Sequence, residues 1–154
     1  MRDPEPAFDL ARFVDAQSRG TYERALHELE AGRKRTHWMW FVFPQLRGLG
    51  SSDMARHYGI SGLDEARAYL HHEVLGPRLQ ECAAAALRSA GRSSAEELFG
   101  FPDHLKFRSS ATLFAAVAGP SSVFQRVLDT FFGGEADPRT LALLAHEGRG
   151  GAAS

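Results

Sequence analysis

The stretch VLGPRLQECAAAALRSA, residues 74–90, decides the fold class of this chain. Its apolar side chains recur every three or four residues, which is the spacing of a helix with one buried face. Pro77 stands in the first turn, where proline is tolerated. The stretch therefore predicts the longest helix of the protein, with a buried stripe formed by Leu75, Leu79, Cys82, Ala83, Ala86 and Leu87.

The same helical period appears on both sides of this stretch, separated by residues that begin and end helices. Thr21 is predicted to cap one helix and Ser61 another. Ser93 and Glu96 have the spacing of a capping box. A further apolar face, also of helical period, is drawn by Val123, Phe124, Val127, Leu128 and Phe131.

These patterns predict an all-α (mainly α) protein with one domain. No internal repeat is visible, and strands do not alternate with helices. We expect an irregular multi-helical single domain of about seven to nine short helices. It would span residues 8–147, between a flexible N-terminus at residues 1–7 and a disordered tail at residues 148–154.

Composition excludes several classes of protein. The 18 Lys and Arg nearly balance the 19 Asp and Glu, so no strong attraction to nucleic acid or to an anionic membrane is expected. The longest apolar run, Trp38 to Pro44, is too short to span a bilayer, and the chain lacks a secretory signal, so a cytoplasmic location is expected. The adjacent His71 and His72 would point to different sides of a helix. We expect no metal site and no cofactor.

Residues 36–45, THWMWFVFPQ, form the most unusual segment. They have no clear period and can be a buried strand or a buried helical turn, either of which Pro44 would end. Most of the aromatic and aliphatic side chains here favour a core position. His37, Trp40 and Gln45 carry polar groups that need partners, and the face of a tryptophan can stack on a nucleobase or a ribose. They are candidate ligand contacts.

Two other segments could hold an anion. Gly48 to Ser52 combines glycines with serines ahead of a predicted helix start, although an ordinary capped loop explains it equally. Further on, two cations precede three hydroxyls, and hydroxyls are uncommon inside an apolar helix. They either cap that helix or line a polar cavity, where they would meet phosphate: Lys106, Arg108, Ser109, Ser110 and Thr112.

Six motifs in the chain resemble a known family: FDLARFVDAQ (8–17), HWMWFVFPQLRGLG (37–50), YGI (58–60), EARAYL (65–70), LGPRL (75–79) and KFRSSATLF (106–114). They are similar to those of the family catalogued as domain of unknown function 1810, over about Phe8 to Leu144. The resemblance implies a small helical protein and supplies little about function. A looser similarity, of size, class and polar clusters, links the chain to the NADAR family, which acts on ADP-ribosylated or related N-glycosides.

Two functions follow as expectations. The first is a pocket protein that binds a small phosphate-bearing nucleotide or sugar, with an ADP-ribose-type N-glycoside hydrolase as its catalytic version. In it, Trp40 would stack on the ring while Lys106 and Arg108 would hold phosphate. The second is a non-catalytic protein-protein interaction module whose exposed aromatic side chains anchor a partner.

Overall fold

A computed structural model describes residues 8–153, with side chains over residues 8–147. The predicted all-α class is confirmed, and the described residues form ten helices, one more than the upper end of the expected range. The predictions for residues 1–7 and for the tail at 148–154 fall outside the residues whose side chains are described. In chain order the helices are α1 Ala11–Ala16, α2 Thr21–Glu30, α3 Met39–Val42, α4 Asp53–His57, α5 Leu63–His71, α6 Leu75–Arg88, α7 Ala95–Phe99, α8 Asp103–Ala118, α9 Val123–Phe132 and α10 Pro138–Ala153.

Helices α6 and α8 organise the domain. α6 packs against α2, α5 and α9, while α8 packs against α9, α5, α7 and α10. The stripe predicted for residues 74–90 faces the core, and Cys82 within it is fully buried. Burial raises the pKa of its thiol to about 12, so this cysteine behaves as an apolar side chain. Outside the helices, Leu46 and Ile60 form an isolated parallel bridge that ties the segment after α3 to the segment before α5.

Three of the predicted helix starts are displaced by one residue. Gly20, with φ of 83°, is the N-cap of α2, so that Thr21 is already helical. The capping box is formed by Ser94, whose backbone is extended as a cap requires, and Glu97. The Ser93 hydroxyl instead donates to the carbonyl oxygen of Gly32 (3.1 Å). The N-cap of α5 is Gly62, one residue after the predicted cap, Ser61.

The segment 36–45 contains a single helical turn, α3, which settles the choice between strand and helix. Trp38, only 1% exposed, precedes this turn and packs against Phe43 and Phe99. Phe43 in turn meets Phe107 of α8 edge to face, with ring centroids 4.9 Å apart. The aromatic side chains thus fix α3 onto α8, and this places Trp40 beside the first turns of α8.

Glu28, on α2, holds the chain that leads into this turn. Its Oε1 accepts hydrogen bonds from the backbone N–H groups of Arg35 (2.8 Å) and Thr36 (3.1 Å) and from Trp38 Nε1 (2.8 Å). Its Oε2 accepts from Thr36 Oγ1 (2.7 Å). Burial of the carboxyl would raise its pKa, but these hydrogen bonds stabilise the charged form and leave the pKa of Glu28 below its ordinary value.

Within the described residues, none of the helices combines the length and the hydropathy of a membrane span.

Candidate ligand-binding cavity

A cavity of about 520 Å³ opens where α3, the loop before α4, the start of α8 and the start of α10 meet. Its volume is in the range of small-molecule sites, which run from roughly 300 to 1,000 Å³. The cavity brings together three separate segments of the chain, residues 40–55, 102–109 and 137–139. It is lined by Trp40, Gln45, Leu49, Gly50, Ser51, Ser52, Ala55, Pro102, Leu105, Lys106, Ser109, Asp137 and Arg139.

Trp40 and Gln45 form the wall contributed by α3 and the segment after it. The indole of Trp40 is half-buried, so part of its face is available to a ligand. Gln45 is held in place through its backbone, because its carbonyl oxygen accepts a hydrogen bond from the Ile60 N–H (2.9 Å). The wall therefore offers an aromatic face and an amide on a fixed backbone.

Lys106 supplies a positive charge on the facing wall. Its Nζ lies 4.9 Å from the centroid of the Trp40 ring and 3.4 Å from Asp103 Oδ1. The other oxygen of Asp103 is 2.8 Å from Nζ of Lys34, a more buried lysine whose Nζ lies 5.2 Å from the Trp38 ring. The chain's two lysines thus share one carboxylate. Because one carboxylate faces two ammonium groups, the cluster has a net positive charge. Lys106, whose distance to Asp103 is the longer of the two, presents part of that charge to the cavity.

The start of α10 brings a carboxylate and a second cation to the cavity. Asp137 is rigidly held: its N–H donates to Thr112 Oγ1 (2.8 Å), and its Oδ2 accepts from the N–H (2.9 Å) and Oγ1 (2.6 Å) of Thr140. Arg139 is exposed and lines the cavity two residues further on. No group of three histidine, cysteine, aspartate or glutamate side chains suited to a metal ion occurs in the described part of the chain.

The loop before α4 closes the floor. Gly50 lies so near α4 that a Cβ on it would come within 2.9 Å of the Ala55 Cβ, so a glycine is needed for this close approach. Ser51 and Ser52 face the cavity, and Ser52 also caps α4 by accepting from the Ala55 N–H (3.1 Å). The cavity continues past Trp40 as a narrow crevice that reaches Tyr58. The predicted cap is therefore present, and the loop also lines the cavity. Its role in holding an anion stays a prediction.

Four of the eight predicted ligand contacts line this cavity: Trp40, Gln45, Lys106 and Ser109. The other four lie elsewhere. His37 is exposed at the surface and does not line the cavity. The remaining three, Arg108, Ser110 and Thr112, are on α8 but face its neighbours.

Arg108 and Thr112 fix the chain between α9 and α10. The Arg108 guanidinium donates to the carbonyl oxygens of Glu135 and Ala136, at 2.9 Å each. Thr112 Oγ1 donates to the Arg108 carbonyl (2.8 Å) and accepts from Asp137, which orients that carboxylate. Ser110 is buried inside the domain, and its Oγ has no partner among the described residues. Arg108 and Thr112 therefore hold the residues before α10 and so position Asp137.

Asp137 and Arg139 line the cavity but are not among the contacts predicted from the sequence. The Asp137-Pro138 pair predicts only a helix start, because aspartate before a proline is a common way to begin a helix. An arginine in a first helical turn carries no signal for a ligand. Only the packing of α10 against α8 places these two side chains beside Lys106.

A second depression, of about 560 Å³, lies on the other side of Asp103. Of its three cations, Lys34 is paired with Asp103 (2.8 Å), and two carboxylates, Glu96 and Glu97, line the depression beside the other two. The aromatic ring at its base, Phe99, is 4% exposed and offers no face for stacking. The cavity beside Trp40 is therefore the stronger candidate for an anionic ligand.

The described residues form a small helical domain with a cationic cavity lined by Trp40. The sequence profile of the family described as "Protein of unknown function (DUF1810)" matches residues 7–144, and the chain belongs to this family. Among solved structures, the chain is similar to the conserved hypothetical protein Rv1873 from Mycobacterium tuberculosis. The two are 57% identical, with a TM-score of 0.86, and the match covers 90% of this chain and 98% of that one. No curated protein matches the chain.

Proposed function

We propose that this protein binds a small phosphate-bearing nucleotide or sugar in the cavity between Trp40 and Lys106. The observation that supports the proposal is the meeting of two candidate segments, near residue 40 and near residue 106, on one cavity of ligand size. An aromatic face and a cation on facing walls suit a ligand that joins a flat ring to an anionic group.

Each wall would contact a different part of the ligand. The exposed part of the Trp40 face would stack on the ring, and Gln45 would hydrogen-bond its edge. Lys106 and Arg139 would bind the phosphate from two sides. The hydroxyls of Ser51, Ser52 and Ser109 are suited to sugar oxygens.

An N-glycoside hydrolase of ADP-ribose type is the catalytic version of this proposal. Hydrolysis requires a group that removes a proton from water at the anomeric carbon. Asp137 is a carboxylate on the cavity wall, and only its Oδ2 is used to cap α10. Its second oxygen would accept that proton. The looser similarity to the NADAR family favours this reaction class, and the binding proposal does not depend on it.

The alternative, a non-catalytic interaction module, requires exposed aromatic anchors. Trp38 cannot be one, because it is buried and hydrogen-bonded to Glu28. The large apolar side chains that are exposed among the described residues lie elsewhere: Met54, Phe101, Leu105 and Leu141. Of these four, Leu105 lines the cavity and the others do not.

Ligand-dependent thermal stability tests the proposal. The panel contains NAD, ADP-ribose, AMP, ADP and sugar phosphates, and it is applied to the wild type, to Trp40→Leu and to Lys106→Met. A ligand at 100 times its dissociation constant adds about 2.7 kcal/mol to the free energy of unfolding, an increase of several degrees in Tm. We expect at least one such shift in the wild type and its loss in both variants, which remove the ring face and the charge.

Arg24→Met is the matched control, because it removes an exposed cation from α2, a helix that contributes nothing to the cavity. It should keep the full ligand response. A stabilising ligand whose effect survives in Lys106→Met and Trp40→Leu would place the site elsewhere. A panel without any shift would contradict the proposal itself.

A further inference from the structure

A narrow crevice opens from the cavity beside Trp40. Its volume is about 10 Å³, which matches the space of about 10–15 Å³ that a single water molecule needs. Trp40, Gln45, Gly50 and Ala55 line both the crevice and the larger cavity, so the two spaces adjoin. A ring stacked on the indole in the cavity would therefore lie next to a recess that holds one small group.

Two backbone segments fix the width of the crevice. They are joined by hydrogen bonds from the Ile60 N–H to the Gln45 carbonyl oxygen (2.9 Å) and from the Arg47 N–H to the Ile60 carbonyl oxygen (2.7 Å). Gly59, which lines the crevice, is packed so closely that a Cβ on it would lie 2.9 Å from the Ala55 carbonyl oxygen and 2.9 Å from the Arg47 Cα. Since backbone atoms cannot turn aside as the end of a side chain can, the crevice excludes a bulky group.

Gln45 and Tyr58 supply the polar side chains of the crevice. Both are half-buried, and among the described residues their hydrogen bonds are formed by their backbone atoms alone. The Gln45 amide and the Tyr58 hydroxyl, each of which can donate and accept, are therefore free for a ligand. The Tyr58 ring is fixed by packing, with its centroid 5.4 Å from that of Phe41 and 5.8 Å from that of Phe13. The crevice thus combines a small volume with two hydrogen-bonding groups on a fixed frame.

The substituents of a nucleobase match this combination. An amino or carbonyl group on the ring is similar in size to a water molecule, and it can hydrogen-bond to Gln45 and Tyr58. A ring without such a group would leave both side chains unpaired or facing a trapped water, which lowers its affinity. A sugar phosphate has no flat ring edge to place there. The crevice therefore favours a nucleotide over a sugar phosphate, and a substituted base over a bare one.

We infer that this crevice is the specificity pocket of the ligand site, where one amino or carbonyl substituent of a nucleobase hydrogen-bonds to Gln45 and Tyr58. The inference rests on the proposed function, since the base would stack on Trp40 in the same cavity. It narrows the ligand to a nucleotide whose base carries a small polar substituent. It also makes Tyr58 a specificity-determining residue.

The test measures dissociation constants by calorimetry for ligands that differ at one position of the ring. AMP carries an amino group there, IMP a carbonyl oxygen, purine riboside 5′-monophosphate only hydrogen, and N6-benzyl-AMP a bulky substituted amine, while ribose 5-phosphate lacks the base. The proteins are the wild type, Tyr58→Phe and Gln45→Met/Tyr58→Phe. Tyr22→Phe is the matched control, because it removes a phenolic hydroxyl from α2, which lines neither the crevice nor the cavity.

We expect AMP or IMP to bind the wild type at least about tenfold more tightly than the bare purine nucleotide, N6-benzyl-AMP or ribose 5-phosphate. Tyr58→Phe should reduce this preference, and the double variant should abolish it by weakening only the preferred nucleotide. Tyr22→Phe should keep the preference of the wild type.

Equal affinities of the wild type for substituted and bare purines, or tight binding of N6-benzyl-AMP, would overturn the inference and leave the cavity as a nucleotide site. Tightest binding of ribose 5-phosphate would overturn it and leave a sugar phosphate site. Failure of all five ligands to bind would also overturn the inference, and a thermal panel without any shift would reject the proposed function with it.

Discussion

The variant Glu28→Ala is expected to lower the free energy of unfolding by about 3–5 kcal/mol. The substitution removes the acceptor for two backbone N–H groups, for the Thr36 hydroxyl and for the Trp38 indole. A buried donor that loses its acceptor costs about 1–3 kcal/mol, and the costs of neighbouring groups are not additive. Urea unfolding of the variant and of Glu23→Ala, an exposed glutamate on the same helix, measures the difference. Glu23→Ala should stay within about 0.5 kcal/mol of the wild type.

Glu28→Gln separates the charge from the hydrogen bonds. The amide keeps an oxygen at the position of Oε1, so the expected loss is only about 1–2 kcal/mol near neutral pH. Because the pKa of Glu28 is lowered on folding, its ionisation stabilises the native state at pH values above the ordinary range of a glutamate. That contribution is lost as the pH falls through the lowered pKa. The stability difference between the wild type and Glu28→Gln should therefore narrow in acid, and a difference independent of pH would contradict this role.

The second large effect is expected at Gly76, in the first turn of α6. Replacing a glycine inside a helix by alanine usually stabilises a protein by about 1 kcal/mol. Here a Cβ would overlap the carbonyl oxygen of Leu70 and would lie 2.9 Å from its carbonyl carbon. Because these atoms belong to the backbone of α5, they can move only if the two helices separate. We expect Gly76→Ala to lower the free energy of unfolding by about 3 kcal/mol, which reverses the usual sign.

Gly91→Ala is the matched control in the turn after α6. A Cβ at Gly91 would have open space around it, and its φ lies outside the left-handed region. Alanine there should leave stability unchanged or raise it by up to about 1 kcal/mol. Equal effects at Gly76 and Gly91 in thermal unfolding would show that α5 and α6 do not approach as closely as the structure indicates.

The helices could be predicted because their periods and stop signals are local. The stripe of residues 74–90 and the apolar face of α9 depend only on spacing, and both pack in the core as expected. The segment around Trp38 could not be assigned in the same way. Its residues favour strand and buried helix alike, and the outcome depends on Glu28, a residue eight or more positions earlier that fixes Thr36 and Trp38.

The candidate site could be predicted only by residue type. Lys106 and Arg108 look equivalent in the sequence, since each is a cation next to hydroxyl residues. In the fold they diverge because neighbouring helical positions point in different directions. Lys106 faces the cavity, whereas Arg108 donates to the carbonyls that precede α10. Asp137 and Arg139 belong to the site through packing of α10 on α8, which no local pattern encodes.

The central claim, that the ligand binds between Trp40 and Lys106, is tested most directly by nuclear magnetic resonance. The chain has two tryptophans, so a ¹⁵N-labelled sample gives two indole N–H signals. That of Trp38 reports the buried bond to Glu28, and that of Trp40 reports the cavity. On titration with AMP, we expect the Trp40 signal to move, the Trp38 signal to stay, and Lys106→Met to abolish the movement. A stationary Trp40 signal, with shifts grouped instead around Arg92 in the second depression, would contradict the account.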